Sequence, residues 1–176
     1  MKIRHTVLAF VALAGLINPA SAGVWQFTED FESPAPAGWF TGGGAGFDFN
    51  RGLAHQGNGN AWVRFTQGWN SVNRWVPSVP QNADCSAQTF IRVSPAVTDG
   101  YFSIRGGNGG EPSRVINEVK LIGPWTGPQN VAYRKFTFDF NSGNFPQLLV
   151  YVGLWGNGQD GWMQIDDLGI SCQTPF

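Results

Sequence analysis

In the run Gln164-Ile165-Asp166-Asp167-Leu168-Gly169-Ile170, two adjacent carboxylates interrupt an otherwise apolar strand pattern. A strand repeats every two residues, which puts Asp166 in phase with Leu168 and Ile170 and aims its side chain at a core. A buried carboxylate is costly unless it is neutralised or hydrogen-bonded. A hard cation such as calcium, or backbone amides donating to its oxygens, would each meet that need, and both readings stay open. Asp167, on the opposite phase, reads as a solvated neighbour.

A second chemistry comes from aromatic rings and arginines that share strand phases. In Ala61–Phe65, residues 61, 63 and 65 face one way, Trp62 and Arg64 the other. Ile91 and Val93 oppose Phe90 and Arg92; Phe102 and Ile104 oppose Tyr101, Ser103 and Arg105; Phe136, Phe138 and Phe140 oppose Lys135, Thr137 and Asp139. In Leu149–Trp155 the second face carries Leu149, Tyr151 and Trp155, and Trp69–Trp75 alternates rings with hydrogen-bonding side chains, Arg74 among them. Rings offer stacking platforms and guanidinium groups offer planar donors, a combination suited to sugars. The candidate sugar-contacting residues are therefore Trp62, Arg64, Trp69, Arg74, Arg92, Tyr101, Arg105, Tyr151 and Trp155. The competing reading is that each is an ordinary outward residue with a snorkelling stem.

Charge and cysteine content narrow the partners. Lys2 and Arg4, the apolar run Thr6–Ile17 and the small residues Ala20-Ser21-Ala22 have the order of a secretory signal peptide over residues 1–22. Without it the formal charge moves from −1 to −3, so no basic surplus exists to follow a phosphate backbone, and nucleic acid is not an expected partner. The apolar run is short for a membrane span, and nothing later is long and apolar enough to be one. A secreted monomer, extracellular or periplasmic, is expected. Cys85 and Cys172 form an even pair in a chain bound for an oxidising compartment, which points to a disulfide. His55 is the one histidine beyond residue 22, which argues against cysteine–histidine catalysis and a zinc site, and it reads as structural.

No amphipathic helical period is present. Short β-branched and aromatic runs alternate with Gly, Pro, Asn and Asp, predicting strands at Trp25–Phe31, Ala61–Phe65, Ser71–Val76, Ala87–Val93, Gly100–Arg105, Asn117–Ile122, Ala132–Phe140, Leu148–Leu154 and Met163–Ser171. Residues 23–176 should form a single all-β domain, an antiparallel β-sandwich of jelly-roll type. The glycine clusters Gly42–Gly46 and Gly106–Gly110 lack the lysine and following helix of a phosphate cradle and read as loops that rim the ligand site.

Asp30-Phe31-Glu32-Ser33 followed by Gly38-Trp39, then Ala54-His55-Gln56-Gly57-Asn58 before Ala61-Trp62-Val63, then the turn Asn141-Ser142-Gly143 and the closing Gln164–Ile170, resemble carbohydrate-binding modules of the galactose-binding-domain-like jelly-roll superfamily. The resemblance spans about residues 25–172. It implies a glycan or polysaccharide ligand, no catalysis, and a structural calcium ion joining the first strand, the following loop and the last strand. The matching positions are Glu32 with Asp30, backbone or side-chain oxygens around Gln56–Asn60, Gly57 and Asn58 among them, and Asp166.

Two other classes compete. A glycoside hydrolase needs two facing carboxylates, and the acids here are scattered, with only Asp139 clearly mid-strand on a ligand face. A polysaccharide lyase needs a tyrosine or histidine base near arginines, which Tyr101 and Arg105 could supply. An extracellular module that adheres to protein is the third class, although no anchor motif precedes Phe176 and covalent surface display is not expected.

Overall fold

The structure, a computed structural model, describes residues 23–109, 113–121 and 132–174. The leader 1–22, the end of the expected strand at Ile122 and Gly110 lie outside the described residues. Those residues form nine strands: β1 (Val24–Glu29), β2 (Trp39–Gly42), β3 (Ala45–Phe49), β4 (Gly59–Pro77), β5 (Asp84–Val93), β6 (Gly100–Gly107), β7 (Arg114–Lys120), β8 (Arg134–Asn141) and β9 (Gln147–Gln173). Every pairing is antiparallel.

The two longest strands organise the fold. β4 pairs along almost its whole length with β9, from Ala61↔Ile165 to Pro77↔Gln147, with a register break between Phe65 and Gln67. Phe65 opposes Gly161 while Gln67 opposes Asn157, so residues 158–160 have no partner in this ladder. Such a break bends a ladder and increases its twist. On one side of the bend the order is β8, β5, the second half of β9, then β1 and the first half of β4, then β3. On the other side it is β7, β6, the first half of β9, the second half of β4, then β2. The ladder is thus folded into two layers of an antiparallel jelly-roll sandwich, as expected.

Alternation fills the space between the layers. Val72, Val76, Phe102, Ile104, Leu148, Val150, Val152 and Leu154 enter from one side and Ala61, Val63, Ala87, Ile91, Met163, Ile165, Leu168 and Ile170 from the other, in a single buried cluster. Phe102 of β6 meets Phe138 of β8 across it, ring centroids 5.0 Å apart. Cys85 and Cys172 face each other across β5 and β9 and are disulfide-bonded.

Three expectations change. Residues 61–76 and 148–171 each read as two strands; each is one strand carried through a bend, because the glycines near residues 68 and 153–161 mark a change of layer rather than a hairpin. β2 and β3 are strands where the sequence reads as a glycine-rich loop. Their pairing with β4 supplies order that their composition does not advertise. The phase assigned to Asp166 is also wrong: the register of β9 against β5 shifts between Gln88↔Gly169 and Phe90↔Asp166, and Asp167 takes φ 47°. That bulge reverses the alternation, so Met163 and Ile165 point inward before it, Leu168 and Ile170 after it, and Asp166 shares the outer phase of Trp162 and Gln164.

The disulfide closes a separation of 87 residues, and chain entropy gives such a link a stabilisation of about 4 kcal/mol. A Cys85→Ser/Cys172→Ser variant should keep the β spectrum by circular dichroism and lose up to that amount in urea denaturation. A loss below about 1 kcal/mol would mean that the reduced chain is already held by the β5–β9 ladder.

Candidate functional site

The outer face of the β7-β6-β9-β4-β2 layer gathers the sugar-type chemistry. Cross-strand register aligns Lys120, Tyr101, Gly153, Ser71 and Gly42 in one row, and Glu118, Ser103, Tyr151, Asn73 and Phe40 in the next. Trp69 pairs directly with Trp155 beyond the first row, and Arg105, Leu149 and Trp75 continue beyond the second.

The rings form an exposed group. Trp69 and Trp155 are 50% and 44% exposed, so both present ring area to solvent. Their centroids lie 5.5 Å apart in an edge-to-face arrangement, and Trp69 lies 5.9 Å from Tyr101. Half-exposed tryptophans held edge to face keep apolar area at the surface where a ligand can cover it.

Beside them lies a polar floor. The Arg105 guanidinium sits 4.0 Å above the Tyr151 ring, and its Nε donates to Ser103 Oγ at 3.2 Å. Asn73 Nδ2 donates to Ser71 Oγ at 2.9 Å. Burial raises the Tyr151 pKa, partly offset by the positive charge of Arg105 and the hydrogen bond with Ser71. Tyr151 lies over Gly153, where a Cβ would come within 2.6 Å of the tyrosine hydroxyl. Glycine at 153 is therefore what lets the phenol lie along the sheet.

Tyr101 is held differently. Asp99 lies beside its hydroxyl, which raises the tyrosine pKa and lowers that of Asp99. Lys120 Nζ approaches Asp99 Oδ1 at 3.2 Å and lies 5.6 Å from the Tyr101 ring centre. A tyrosine base needs the opposite shift, and Arg105, its supposed partner, stacks on Tyr151 instead.

Of the nine candidates, Trp69, Tyr101, Arg105, Tyr151 and Trp155 share this face. Trp62, Arg64 and Arg92 lie on the outer face of the other layer, since β4 changes layer between Phe65 and Gln67. Arg74 has the inward phase of Val72 and Val76. At the layer edge its Nη1 donates to Glu29 Oε2 at 2.8 Å and its guanidinium covers the Phe27 ring at 4.9 Å. Ser71, Asn73, Ser103, Asp99 and Lys120 were not among the candidates. The alternation Trp69-Ser71-Asn73-Trp75 could have found the first two; Asp99 and Lys120 are brought in by strand pairing alone.

The expected calcium ligands separate. Asp30 Oδ1 accepts from the Glu32 amide at 3.1 Å, while Glu32 Oε1 accepts from the Asn58 and Gly59 amides at 2.7 and 2.9 Å. Glu32 thus clamps the loop around Gly57 to the segment that follows β1, and Asp30 bonds within that segment. Asp166 is fully buried because the same loop covers it: its Oδ2 accepts from His55 N at 2.8 Å and Gln56 N at 3.2 Å, and its Oδ1 from Asp167 N at 2.8 Å. Burial pushes the Asp166 carboxyl up to about 6 against the pull of those amides. Among the described residues no three acidic or histidine side chains gather round one point. One feature does suit a hard cation: Asn60 Oδ1 is buried without a partner. Asn60 and Asp166 are the residues next to the last pair of the β4–β9 ladder, Ala61↔Ile165. Asn60 and Asp166 fit a cation; Asp30, Glu32, Gly57 and Asn58 have other work. Asp167 is not simply solvated, since it pairs with His55 Nδ1 at 2.6 Å, and His55 stacks on Phe90 with centroids 3.9 Å apart.

Arg74 leaves a test of this partition. Glu29 also accepts from Trp39 Nε1 at 2.8 Å and Phe31 N at 3.0 Å, so Arg74→Ala strips one donor from a half-buried carboxylate and should cost about 1–3 kcal/mol of stability. Denaturant unfolding reads the cost, and affinity for any sugar bound at the Trp69 face should stay unchanged.

No protein-family model matches the chain, and no curated protein matches its sequence. Solved structures do match its fold. The CBM22-1 xylan-binding domain of Paenibacillus barcinonensis Xyn10C superposes with a TM-score of 0.59 at 15% identity, over 85% of this chain and 95% of that one. TmCBM61, solved with β-1,4-galactotriose, gives 0.54 at 16% identity over 80% and 92%. The K1 cleaved adhesin domain of Lys-gingipain from Porphyromonas gingivalis gives 0.58 at 13% identity over 86% and 99%. At such identities the likeness is one of fold.

Proposed function

We propose that this chain is a secreted, non-catalytic carbohydrate-binding domain that holds a neutral poly- or oligosaccharide on the face built by β6, β9 and the second half of β4. The observation that carries the reading is the adjacency of exposed Trp69 and Trp155 to the polar floor of Arg105, Tyr151, Ser103, Ser71 and Asn73. A pyranose stacks its C–H face on an indole and exchanges hydrogen bonds at its edge. Trp69, Trp155 and Tyr101 would serve the first need and the Arg105 guanidinium the second, with the buried Ser103 holding it in place and Asn73 and Ser71 beneath Tyr151. Arg105 and Lys120 are balanced nearby by Glu118 and Asp99, which favours an uncharged ligand. Two fold neighbours are described with xylan and with β-1,4-galactotriose, and β-linked neutral glycans are the first ligands to try.

Catalysis is disfavoured by the raised pKa of Tyr101 and by the position of Asp139, on the layer opposite Tyr101 and Tyr151. Secretion is supported by the leader-like residues 1–22 and by the disulfide, which persists in oxidising compartments. Affinity electrophoresis in gels containing xylan or β-1,4-galactan should retard the wild type, with affinity falling at least about tenfold (about 1.4 kcal/mol) in Trp69→Ala and in Trp155→Ala. Equal retardation of wild type and both variants, or release of reducing sugar, would overturn the reading.

Calcium enters the proposal as a structural ion at Asn60 and Asp166, remote from the sugar face. Supplying charge to a buried carboxylate and a ligand to an orphaned amide oxygen would stabilise the loop at His55–Asn58. Millimolar calcium should then raise the melting temperature of chelator-treated wild type and leave Asn60→Ala unmoved. Identical melting curves with calcium and with chelator would remove the ion.

A further inference from the structure

The outer face of the opposite layer carries a second cleft that the Trp69 face does not use. Its volume is about 470 Å³, and its side-chain lining includes Asp48, Leu53, Trp62, Arg92, Trp162 and Gln164. That size falls within the range of small-ligand sites. Register brings the groups together from four strands: Gly46 of β3, Trp62 of β4, Gln164 of β9 and Arg92 of β5 form one cross-strand row. Trp162 opposes Arg64 in the next row. The Trp62 indole lies on the Gly46 backbone, where a Cβ would come within 2.8 Å of the ring.

The polar groups are held in place before any ligand arrives. Arg92 hydrogen-bonds through Nε to Gln164 Oε1, and its guanidinium lies between the Tyr133 and Trp162 rings, 5.2 and 5.7 Å from their centres. Tyr133 is fixed in turn by its hydroxyl donating to the Leu53 carbonyl at 2.8 Å. Arg64, at the mouth, is taken by Asp160 through Nε at 2.8 Å. The charges left to the cleft are one carboxylate, Asp48, and one guanidinium, Arg92, which balance. Donors on one wall, an acceptor on the other and two indoles between them suit an uncharged ligand rich in hydroxyl groups. A lipid tail would leave Arg92, Asp48 and Gln164 unmatched, and an anion would meet Asp48.

We infer that this cleft is a second saccharide site, taking a neutral pyranose of an oligo- or polysaccharide between Trp62 and Trp162, with Arg92 and Asp48 on its hydroxyls. The inference shares its ligand class with the proposed function but none of its residues. Because the two sites lie on outer faces of opposed layers, with the core between them, a domain carrying both would bridge two glycan chains.

The test is a titration of wild type, Trp69→Ala/Trp155→Ala and Trp162→Ala/Arg92→Ala with xylohexaose and with β-1,4-galactotriose, followed by calorimetry and by the indole N–H resonances of the tryptophans. Wild type should bind two equivalents. The Trp69/Trp155 variant should keep one, with shifts confined to Trp62 and Trp162; the Trp162/Arg92 variant should keep the other, with the shifts at Trp69 and Trp155. A single equivalent in wild type, with unmoved Trp62 and Trp162 resonances, would overturn the second site while leaving the first. Binding lost only in the Trp162/Arg92 variant would overturn the first and keep the second. Should that variant fail to fold, Asp48→Asn replaces it, with an expected fall of about tenfold in affinity at this cleft alone and no change in the Trp69 resonance; an unchanged affinity would overturn the inference. Wild type that binds neither sugar overturns both readings.

Discussion

The ladder between β4 and β9 is the constraint on which the rest of the molecule depends. These strands pair through both layers, and the break between Phe65 and Gln67, with residues 158–160 left out opposite it, folds the ladder back on itself. Five of the other strands are placed by the half of the ladder they join, and β7 and β8 follow β6 and β5. β5 and β1 attach to the second half of β9, β6 to the first half, β2 and β3 to opposite halves of β4. The core is what the two halves enclose, and its continuity follows from both strands lining it on each side of the bend.

The same bend divides the surface chemistry. Trp62 and Arg64 precede it and Trp69 follows it, so residues only a few positions apart end on opposite faces of the sandwich. One face has exposed indoles beside an arginine laid on a tyrosine; the other has indoles flanking an arginine laid between rings. In both, stacking and hydrogen bonding fix the guanidinium in advance, so a ligand would not have to order a free arginine.

Asp166 ties the bulge in β9 to the loop of residues 50–58. Its carboxylate holds the His55 and Gln56 amides while Glu32 holds those of Asn58 and Gly59, so two acids from opposite ends of the chain fasten one loop. His55 adds its contacts with Asp167 and Phe90. The loop supplies Leu53, whose carbonyl anchors Tyr133, and so the buried acid also supports one wall of the second cleft.

Strand content, the antiparallel sandwich, the cysteine pair and the polar-aromatic faces of individual strands were legible in the residues, because period-two alternation and turn-forming residues are local signals. Burial of Asp166 was legible too, though for the wrong reason: the bulge at Asp167 reverses the phase, and the carboxylate is buried by a loop rather than by the core. Which strand faces merge was not legible. Alternation gives each side chain a side of its own strand but not the layer to which that strand belongs, and layer is decided by register and by bends that glycines permit without specifying. Hence Tyr101, Arg105, Tyr151 and Trp155 share a face with Trp69, while Trp62, Arg64 and Arg92 form a separate face and Arg74 turns inward to Glu29. The sequence by itself determined what kinds of surface this protein can present; the folding of one long ladder into two layers decided that there would be two of them.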